Sequence, residues 1–198
     1  MPLDKEFISR AWEVKLPELS RLSYLYLAYL SSPKAERHLY RHIRRQRVAR
    51  IVEIGIGSLQ RTLRMLRVAA QPAGSRPVQY AGIDAYDARP DGMQRLSLKE
   101  TYRRLRATGA QVRLVPGDTL SSLARTANVL SGTDLVIVSA DQEPAAMESA
   151  WFYLPRMLHE GSLVLQESGA GTGRQTFRPV EPLEVHRRAR TGSRRRAA

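Results

Sequence analysis

Acidic side chains end or closely follow five short apolar segments of this chain, and their type and spacing could support chemistry. The five are Glu53, Asp84, Asp118, Asp141 and Glu167. A carboxylate can accept hydrogen bonds from ligand hydroxyls, and it can accept a proton during a reaction. Because parallel strands present their carboxyl ends at one edge of a sheet, where open α/β sheets bind ligands, we expect the five acids to converge on one crevice.

The first acid, Glu53, is followed by two glycines, Gly55 and Gly57, and then by a helical pattern. Glycine lets the backbone approach a ligand closely and adopt conformations that a Cβ would forbid. A buried strand that runs through glycines into a helix is typical of a nucleotide-like ligand site. In dinucleotide-binding fingerprints the glycines follow the strand directly, without an acid two residues before the first of them. The position of Glu53 therefore favours another kind of ligand.

Alternating strand and helix patterns must position these residues. Helices are predicted at 18–31, 34–46, 59–70, 96–108, 119–130 and 144–158, and strands at 50–54, 78–83, 112–115, 134–138 and 162–165. Five strands separated by single helices specify parallel βαβ units with right-handed crossovers. The predicted fold is therefore α/β: a doubly wound, mostly parallel Rossmann-like sheet with N-terminal helices. Two short strands at 176–180 and 183–186 would follow and leave a sheet edge open for a homodimer.

The chain divides by composition into three parts. Residues 1–48 are predicted to be an N-terminal helical segment, residues 49–186 the ligand-binding domain, and residues 187–198 a basic disordered tail. The tail carries arginines without an acid, a composition that buries too little apolar surface to order itself. No cysteine is present, which excludes disulfides and thiolate metal sites. No apolar run is long enough to span a bilayer, so the predicted location is the cytoplasm.

The net charge of +13 comes from 32 basic and 19 acidic residues. Two arginine clusters, one within residues 41–50 and one within residues 187–196, contribute much of it. Such clusters could bind RNA or an acidic partner. The alternative is a solvated helix face plus a tail without a partner, because no aromatic residue interleaves with the tail arginines.

Three of the acidic segments resemble motifs of the class I S-adenosylmethionine-dependent methyltransferases. The sequence Glu53-x-Gly55-x-Gly57 resembles motif I, residues 80–84 resemble motif II, and residues 117–119 resemble the third acidic loop. The resemblance covers about residues 50–167 and implies S-adenosylmethionine as the cofactor.

The resemblance implies a role for each matching residue. Gly55 and Gly57 would pass beneath the methionine moiety, and Glu53 would accept hydrogen bonds near its amino-acid end. Asp84 would accept hydrogen bonds from both ribose hydroxyls, which requires an ionised carboxylate. The other cofactor-binding candidates are Ser58, which precedes Leu59 at the place of the family's third glycine, Ala85 and Tyr86 beside the ribose and adenine, and Asp118 and Thr119 at the adenine edge.

The segment 134–142 resembles the macrocin-type O-methyltransferases, whose fourth strand ends Asp-Gly-Asp-His and whose fifth ends in paired aspartates. Here Ser139 replaces the first aspartate, Gln142 replaces the histidine, and Gln166-Glu167 replaces the pair. A hard cation such as magnesium prefers several oxygen ligands, which this sequence supplies poorly. We therefore predict no metal site.

These features predict an S-adenosylmethionine-dependent methyltransferase that methylates an oxygen or nitrogen of an unidentified acceptor, expected to be a small molecule. Catalysis in such a transfer is largely positioning. Asp141 is the first candidate for proton acceptance or acceptor positioning, and Glu167 is the second. Two alternatives stay open. One is a non-catalytic binding or scaffold domain, favoured by Leu59, Ser139 and Gln142; the other is an RNA-binding methyltransferase that uses the arginine clusters.

Overall fold

The structure is a computed structural model that describes residues 19–70, 76–169 and 174–197. A π-helical turn extends the first helix, and two 3₁₀ helices lie in connections. The α-helices are α1 (Arg21–Leu25), α2 (Glu36–Arg45), α3 (Leu59–Ala69), α4 (Leu98–Arg106), α5 (Thr119–Thr126), α6 (Pro144–Ala150) and α7 (Pro182–Ala197). The strands are β1 (Arg50–Ile54), β2 (Gln79–Asp84), β3 (Gln111–Pro116), β4 (Thr133–Val138), β5 (Leu158–Ser168) and β6 (Thr176–Pro179). The π-helical turn is Tyr26–Leu30, and the 3₁₀ helices are Tyr86–Ala88 and Trp151–Arg156.

The six strands form one sheet in the order β3-β2-β1-β4-β5-β6. Strands β1 to β5 pair in parallel, and β6 pairs antiparallel with β5. This arrangement confirms the predicted doubly wound, mostly parallel Rossmann-like sheet. The strand order reverses between β1 and β4, so a ligand crevice is expected at the carboxyl ends of these two strands.

Each face of the sheet is covered by helices, and the period of two along each strand decides which side chains meet which helices. In β1, Val52 and Ile54 pack with α5, α6 and α7, whereas Ile51 packs with α2 and α3 on the other face. Glu53 has the parity of Ile51, so its carboxylate points toward α3. The N-terminal helices share this second core, since Leu39 and Ile43 of α2 are buried in it. Within the described residues, no helix combines the length and apolar character needed to cross a membrane.

Two expectations for the C-terminal region are wrong. Residues 183–186 belong to helix α7 and not to a strand, and residues 187–197 continue that helix where a disordered tail is predicted. The physical reason is an apolar stripe at helical spacing, because Val185 and Ala189 are both buried against the rest of the protein. The predicted strand at 176–180 is confirmed as β6.

Helix α7 packs closely on α6 because a glycine lies at the crossing. A Cβ on Gly192 would lie 2.7 Å from the carbonyl oxygen of Glu148 and 3.2 Å from that of Ser149. Backbone atoms cannot move aside as a flexible side chain can. The close packing of α7 on α6 therefore requires a residue without a Cβ at position 192.

We predict that Gly192→Ala destabilises the protein. On an open helix face this change would stabilise by up to about 1 kcal/mol, but here overpacking against backbone should cost about 1 to 3 kcal/mol. Urea unfolding measures the difference, with Ser193→Ala at the neighbouring exposed position as the control that should not destabilise. A stabilised Gly192→Ala protein would contradict the observed packing of α7.

Candidate ligand site at the carboxyl ends of the strands

The glycine loop after β1 lies at the crevice between β1 and β4. Gly55 has a φ of +80°, a conformation that L side chains rarely adopt, and its N–H donates to the carbonyl oxygen of Ile83 at 2.8 Å. A Cβ at Gly55 would collide with the amide nitrogen of Gln142 and would lie 2.8 Å from Oδ1 of Asp141. The side chains after β4 therefore rest directly on the glycine loop.

Asp84, at the end of β2, is buried and uses both carboxylate oxygens. Oδ2 accepts from the backbone N–H of Ile56 at 2.7 Å, and Oδ1 accepts from the backbone N–H of Tyr86 at 2.9 Å. Arg89 binds the same carboxylate through Nε at 2.7 Å and Nη2 at 2.6 Å. This bidentate pair raises the pKa of Arg89, and the charge of the nearby Asp141 adds to the effect. Arg89 thus contacts the oxygens that were expected to receive ribose hydroxyls.

Glu53 and Glu167 lie in one buried network built around Arg61 of α3. Arg61 donates to Oε1 of Glu53 at 3.1 Å and to Oε1 of Glu167 at 2.9 Å, and the three side chains are at most 2% exposed. Burial alone would lower the pKa of Arg61, but the two carboxylates outweigh it and raise that pKa. Ser139 also donates to Oε2 of Glu167 at 3.1 Å, so the network connects α3 with the ends of β1, β4 and β5.

Hydroxyl groups complete the partners of Glu53. Its Oε2 accepts from Thr62 at 2.6 Å and from the Tyr80 hydroxyl at 2.8 Å. Burial and the adjacent Glu53 charge raise the pKa of Tyr80, which therefore stays a neutral donor. With these donors and Arg61, both oxygens of Glu53 are engaged inside the protein. The parity of β1 turns the side chain toward α3, and the expected contact of Glu53 with a ligand stays a prediction.

The expected adenine-side residues lie around the start of α5. Asp118 is the N-cap of α5 and accepts from the Ser121 N–H at 2.8 Å, a bond that lowers the pKa of Asp118. Thr119 is buried and donates to the side-chain oxygen of Gln142, which thereby spans from α5 to the glycine loop. Asp118 is exposed, in contrast to the buried Thr119.

The other three expected binding residues differ in their exposure. Ser58 is partly exposed at the N-cap of α3, and Ala85 is partly exposed after β2. Tyr86 is 1% exposed, with its ring packed against Ile56 and Leu96 and its hydroxyl donating to the carbonyl oxygen of Gly82 at 2.7 Å. The ring of Tyr86 therefore lies in the interior, and only Ala85 is left at the surface beside Asp84.

The two candidate catalytic residues, Asp141 and Glu167, also differ in their exposure. Asp141 is exposed beside Gly55, and its only hydrogen bond among the described residues comes from the Gln142 side chain at 3.0 Å. Glu167 is 4% exposed and is engaged by Arg61, Ser139 and Gln175. Of these two candidates, only Asp141 presents its carboxylate to the crevice. Among the described residues, no group of three or more His, Asp or Glu side chains is placed to hold a metal ion.

Sequence reasoning missed Arg61 and Arg89, the two cations that organise the site. Arg61 follows Gly57 by one helical turn, which places it on the face of α3 that covers β1. An arginine on the apolar face of a helix is a usable signal, because a buried cation requires an acidic partner. Arg89 lies in a connection without periodicity, and no pattern in the sequence indicates its contact with Asp84.

Comparison with solved structures identifies the class of fold. The O-methyltransferase TomG from Streptomyces achromogenes, involved in tomaymycin synthesis and solved in complex with SAM, aligns with a TM-score of 0.51 and 19% identity over 98% of this chain and 79% of that chain. An O-methyltransferase from Bacillus cereus in complex with SAH aligns with a TM-score of 0.49 and 14% identity over 100% of this chain and 81% of that chain. No protein-family model and no curated protein matches the sequence. The TomG alignment therefore shows that this chain has the fold of an O-methyltransferase solved in complex with SAM.

We predict that Arg61→Met strongly destabilises the protein, because it leaves two buried carboxylates without their cation. Breaking a buried ion pair from one side costs about 3 to 5 kcal/mol. Arg103→Met is the matched control, since Arg103 is 75% exposed and its ion pair with Glu100 should contribute less than about 1 kcal/mol. Denaturant unfolding measures both variants.

A double variant tests whether the destabilisation by Arg61→Met comes from loss of charge compensation. Adding Glu167→Gln to Arg61→Met removes one of the orphaned charges, so the double variant should lose less stability than the sum of the two single changes. Additive losses would show that Arg61 contributes packing and not charge compensation.

Proposed function

We propose that this protein is an S-adenosylmethionine-dependent methyltransferase that methylates an oxygen or nitrogen of a small-molecule acceptor in the cytoplasm. The observation that carries the proposal is the placement of Asp84 next to the loop of Gly55 and Gly57, at neighbouring strand ends of a methyltransferase-type sheet. The similar TomG structure was solved in complex with SAM, which supports the same class of cofactor here.

The side chains present fit this cofactor once two internal contacts open. Asp84 offers two carboxylate oxygens to the vicinal ribose hydroxyls, and two backbone N–H groups keep that carboxylate in place. Gly55 supplies a backbone surface without a Cβ. Arg89 must leave Asp84, and Gln142 must leave Gly55, before a ligand can take these positions.

When bound, the cofactor supplies an electrophilic methyl group on a sulfonium. In the proposed mechanism the protein aligns the acceptor atom with that methyl group and excludes water. Asp141 would accept the proton that an acceptor hydroxyl, or the nitrogen of a methylated amine, loses on methyl transfer. Glu167 acts as a positioning residue, because accepting a proton would break its ion pair with Arg61.

A non-catalytic binding domain is the second candidate, and the contacts of Arg89 favour it. Arg89 makes two bonds to Asp84, and it also donates to the carbonyl oxygens of Ile56 and Gln94. If these contacts are permanent, the fold is retained while the ribose position stays closed. The two candidates therefore differ in whether Arg89 can be displaced.

Partners other than the acceptor belong to the same proposal. Tyr26 and Tyr29 on the N-terminal helices are each about half exposed, and the Arg41 guanidinium lies 5.3 Å from the Tyr29 ring, an arrangement compatible with stacking of RNA bases. A homodimer could form along β6, which pairs only with β5 among the described strands. The methyltransferase proposal depends on neither partner.

We predict opposite effects on cofactor affinity from the two members of the Asp84–Arg89 pair. Asp84→Ala should weaken binding of S-adenosylmethionine by about 1.5 to 3 kcal/mol, the scale of hydrogen bonds to a charged group. Arg89→Ala should strengthen binding, because the ribose hydroxyls no longer compete with a guanidinium. Calorimetry measures both, and Arg103→Ala is the control for loss of a distant positive charge.

The same titrations separate the two candidate functions. Saturable binding by wild-type protein that tightens in Arg89→Ala supports a displaceable arginine and a working cofactor site. Absence of binding at millimolar S-adenosylmethionine in both proteins would contradict the methyltransferase proposal.

We further predict that Asp141→Asn lowers turnover about a hundredfold or more while leaving cofactor affinity nearly unchanged. The change keeps the shape of the side chain and removes the proton-accepting charge, so its effect belongs to the transition state. Single-turnover kinetics with an acceptor found by screening measures it. Glu160→Gln, an exposed acid at the opposite end of β5, is the control. Equal loss of cofactor binding would assign Asp141 to the cofactor site instead.

A further inference from the structure

A cavity of about 670 Å³ lies beside the candidate cofactor site, between the carboxyl ends of β4 and β5 and the helices α6 and α7. This volume is within the range of small-molecule sites. Its lining includes Ser139, Met147, Trp151, Gln166, Arg187 and Arg188.

The cavity adjoins the glycine loop through shared residues. Ser139 and Gln142 line it, and both also contact the loop: Oγ of Ser139 lies 3.0 Å from the Cβ position of Gly57, and Gln142 covers Gly55. A molecule in the cavity would therefore approach the crevice from the β4 side, where Asp141 is exposed. An acceptor in the cavity would therefore lie close to Asp141, the proposed proton acceptor.

The wall supplied by α7 is cationic and is held in place by defined contacts. The Arg188 guanidinium lies 4.6 Å from the centre of the Trp151 ring and donates to Oε1 of Gln166 at 3.0 Å and to Glu184. A guanidinium has five N–H donors, so these two hydrogen bonds leave donors available to a further acceptor. Arg187 adds an exposed cation at the rim of the cavity.

On α7 itself, Glu184 is shared between Arg188 and Arg178, so it balances only part of this charge. The Glu167 carboxylate is paired with Arg61, on the far side of the cavity from α7. Glu148 lies on α6 and is exposed. The apolar residues Val138, Met147 and Trp151 also line the cavity but are at most 5% exposed. The accessible cations of α7 are therefore the feature that selects a ligand, and an acceptor with an anionic group directed at α7 fits this arrangement.

We propose that this cavity is the acceptor pocket and that it selects a carboxylic acid, whose carboxylate binds Arg187 and Arg188. The proposal rests on the methyltransferase function and adds a substrate class to it. Charge-assisted hydrogen bonds from arginine to a carboxylate are short and strong, which gives them the selectivity this role requires. The basic end of the chain then has a function in small-molecule recognition.

A matched pair of fluorinated probes tests the pocket without knowledge of the natural acceptor. The probes are 4-(trifluoromethyl)benzoate and the neutral 4-(trifluoromethyl)benzyl alcohol, which differ in the charge of one group. Fluorine NMR titration of the full chain should show the benzoate binding at least about tenfold more tightly, the factor expected for one charge-assisted hydrogen bond. Equal affinity of the two probes would overturn the proposal.

Variants of α7 locate the binding. Arg187→Ala should weaken the benzoate about tenfold and leave the alcohol unchanged, whereas Arg190→Ala, an equal charge change at an exposed position outside the cavity lining, should leave both unchanged. Arg188→Gln tests the second cation, and thermal melting of each variant establishes that α7 remains packed. Equal weakening by Arg187→Ala and Arg190→Ala would show nonspecific charge attraction and would overturn the site.

Calorimetry with S-adenosylmethionine on the same samples separates this inference from the proposed function. Cofactor binding without benzoate binding would overturn the acceptor pocket and leave the methyltransferase intact. Selective, Arg187-dependent benzoate binding without cofactor binding would support a carboxylate site while the methyltransferase proposal fails.

Discussion

The ion-pair network of Glu53, Arg61 and Glu167 is the interaction on which the crevice depends. Two carboxylates cannot remain charged in the interior of a protein unless a cation and several donors accompany them. Arg61 meets this requirement from α3, and Thr62, Tyr80 and Ser139 supply hydroxyl donors. The side chains of this network come from β1, β2, β5 and α3 and from the residue after β4. The network therefore fixes how these strands are positioned relative to one another along their length. The backbone at Gly57 lies directly against this network, so the shape of the glycine loop follows from it.

The sequence predicted the order of strands and helices well because the central strands are apolar on both faces and glycine and proline mark their ends. The same pattern could not tell which acids face the crevice. Glu53 and Asp84 both end apolar strands, yet Glu53 turns toward α3 and Asp84 turns toward the glycine loop. The difference depends on strand parity and on a cation 8 residues away in one case and 5 in the other. These are tertiary contacts, which cannot be predicted from the composition of the chain.

Helix α7 shows that composition can predict disorder where the structure has a packed helix. Arginines without acids resemble a disordered tail when they are counted, but their spacing leaves Val185, Ala189 and Gly192 on one stripe. Arg188 itself is partly buried against Trp151, because an arginine can lay its planar group on an aromatic ring and still form hydrogen bonds at its edge. The apolar stripe outweighs the repulsion between neighbouring arginines. Periodicity is therefore a better guide than net charge where a basic segment carries small apolar residues.

The internal contacts of the crevice set the energetic terms for any ligand. Asp84 is already ion-paired and Gly55 is already covered, so the free protein pays no cost for an unpaired buried carboxylate. A ligand must therefore exchange one set of hydrogen bonds for another, and its net affinity is the difference between them. A cationic ligand could offset the loss of Arg89, since Asp141 lies close enough to interact with that guanidinium. A neutral nucleoside would lack this compensation. The carboxylates of Asp84 and Asp141 would then favour a positively charged sulfonium over its uncharged thioether product, which links the return of Arg89 to Asp84 with release of the product.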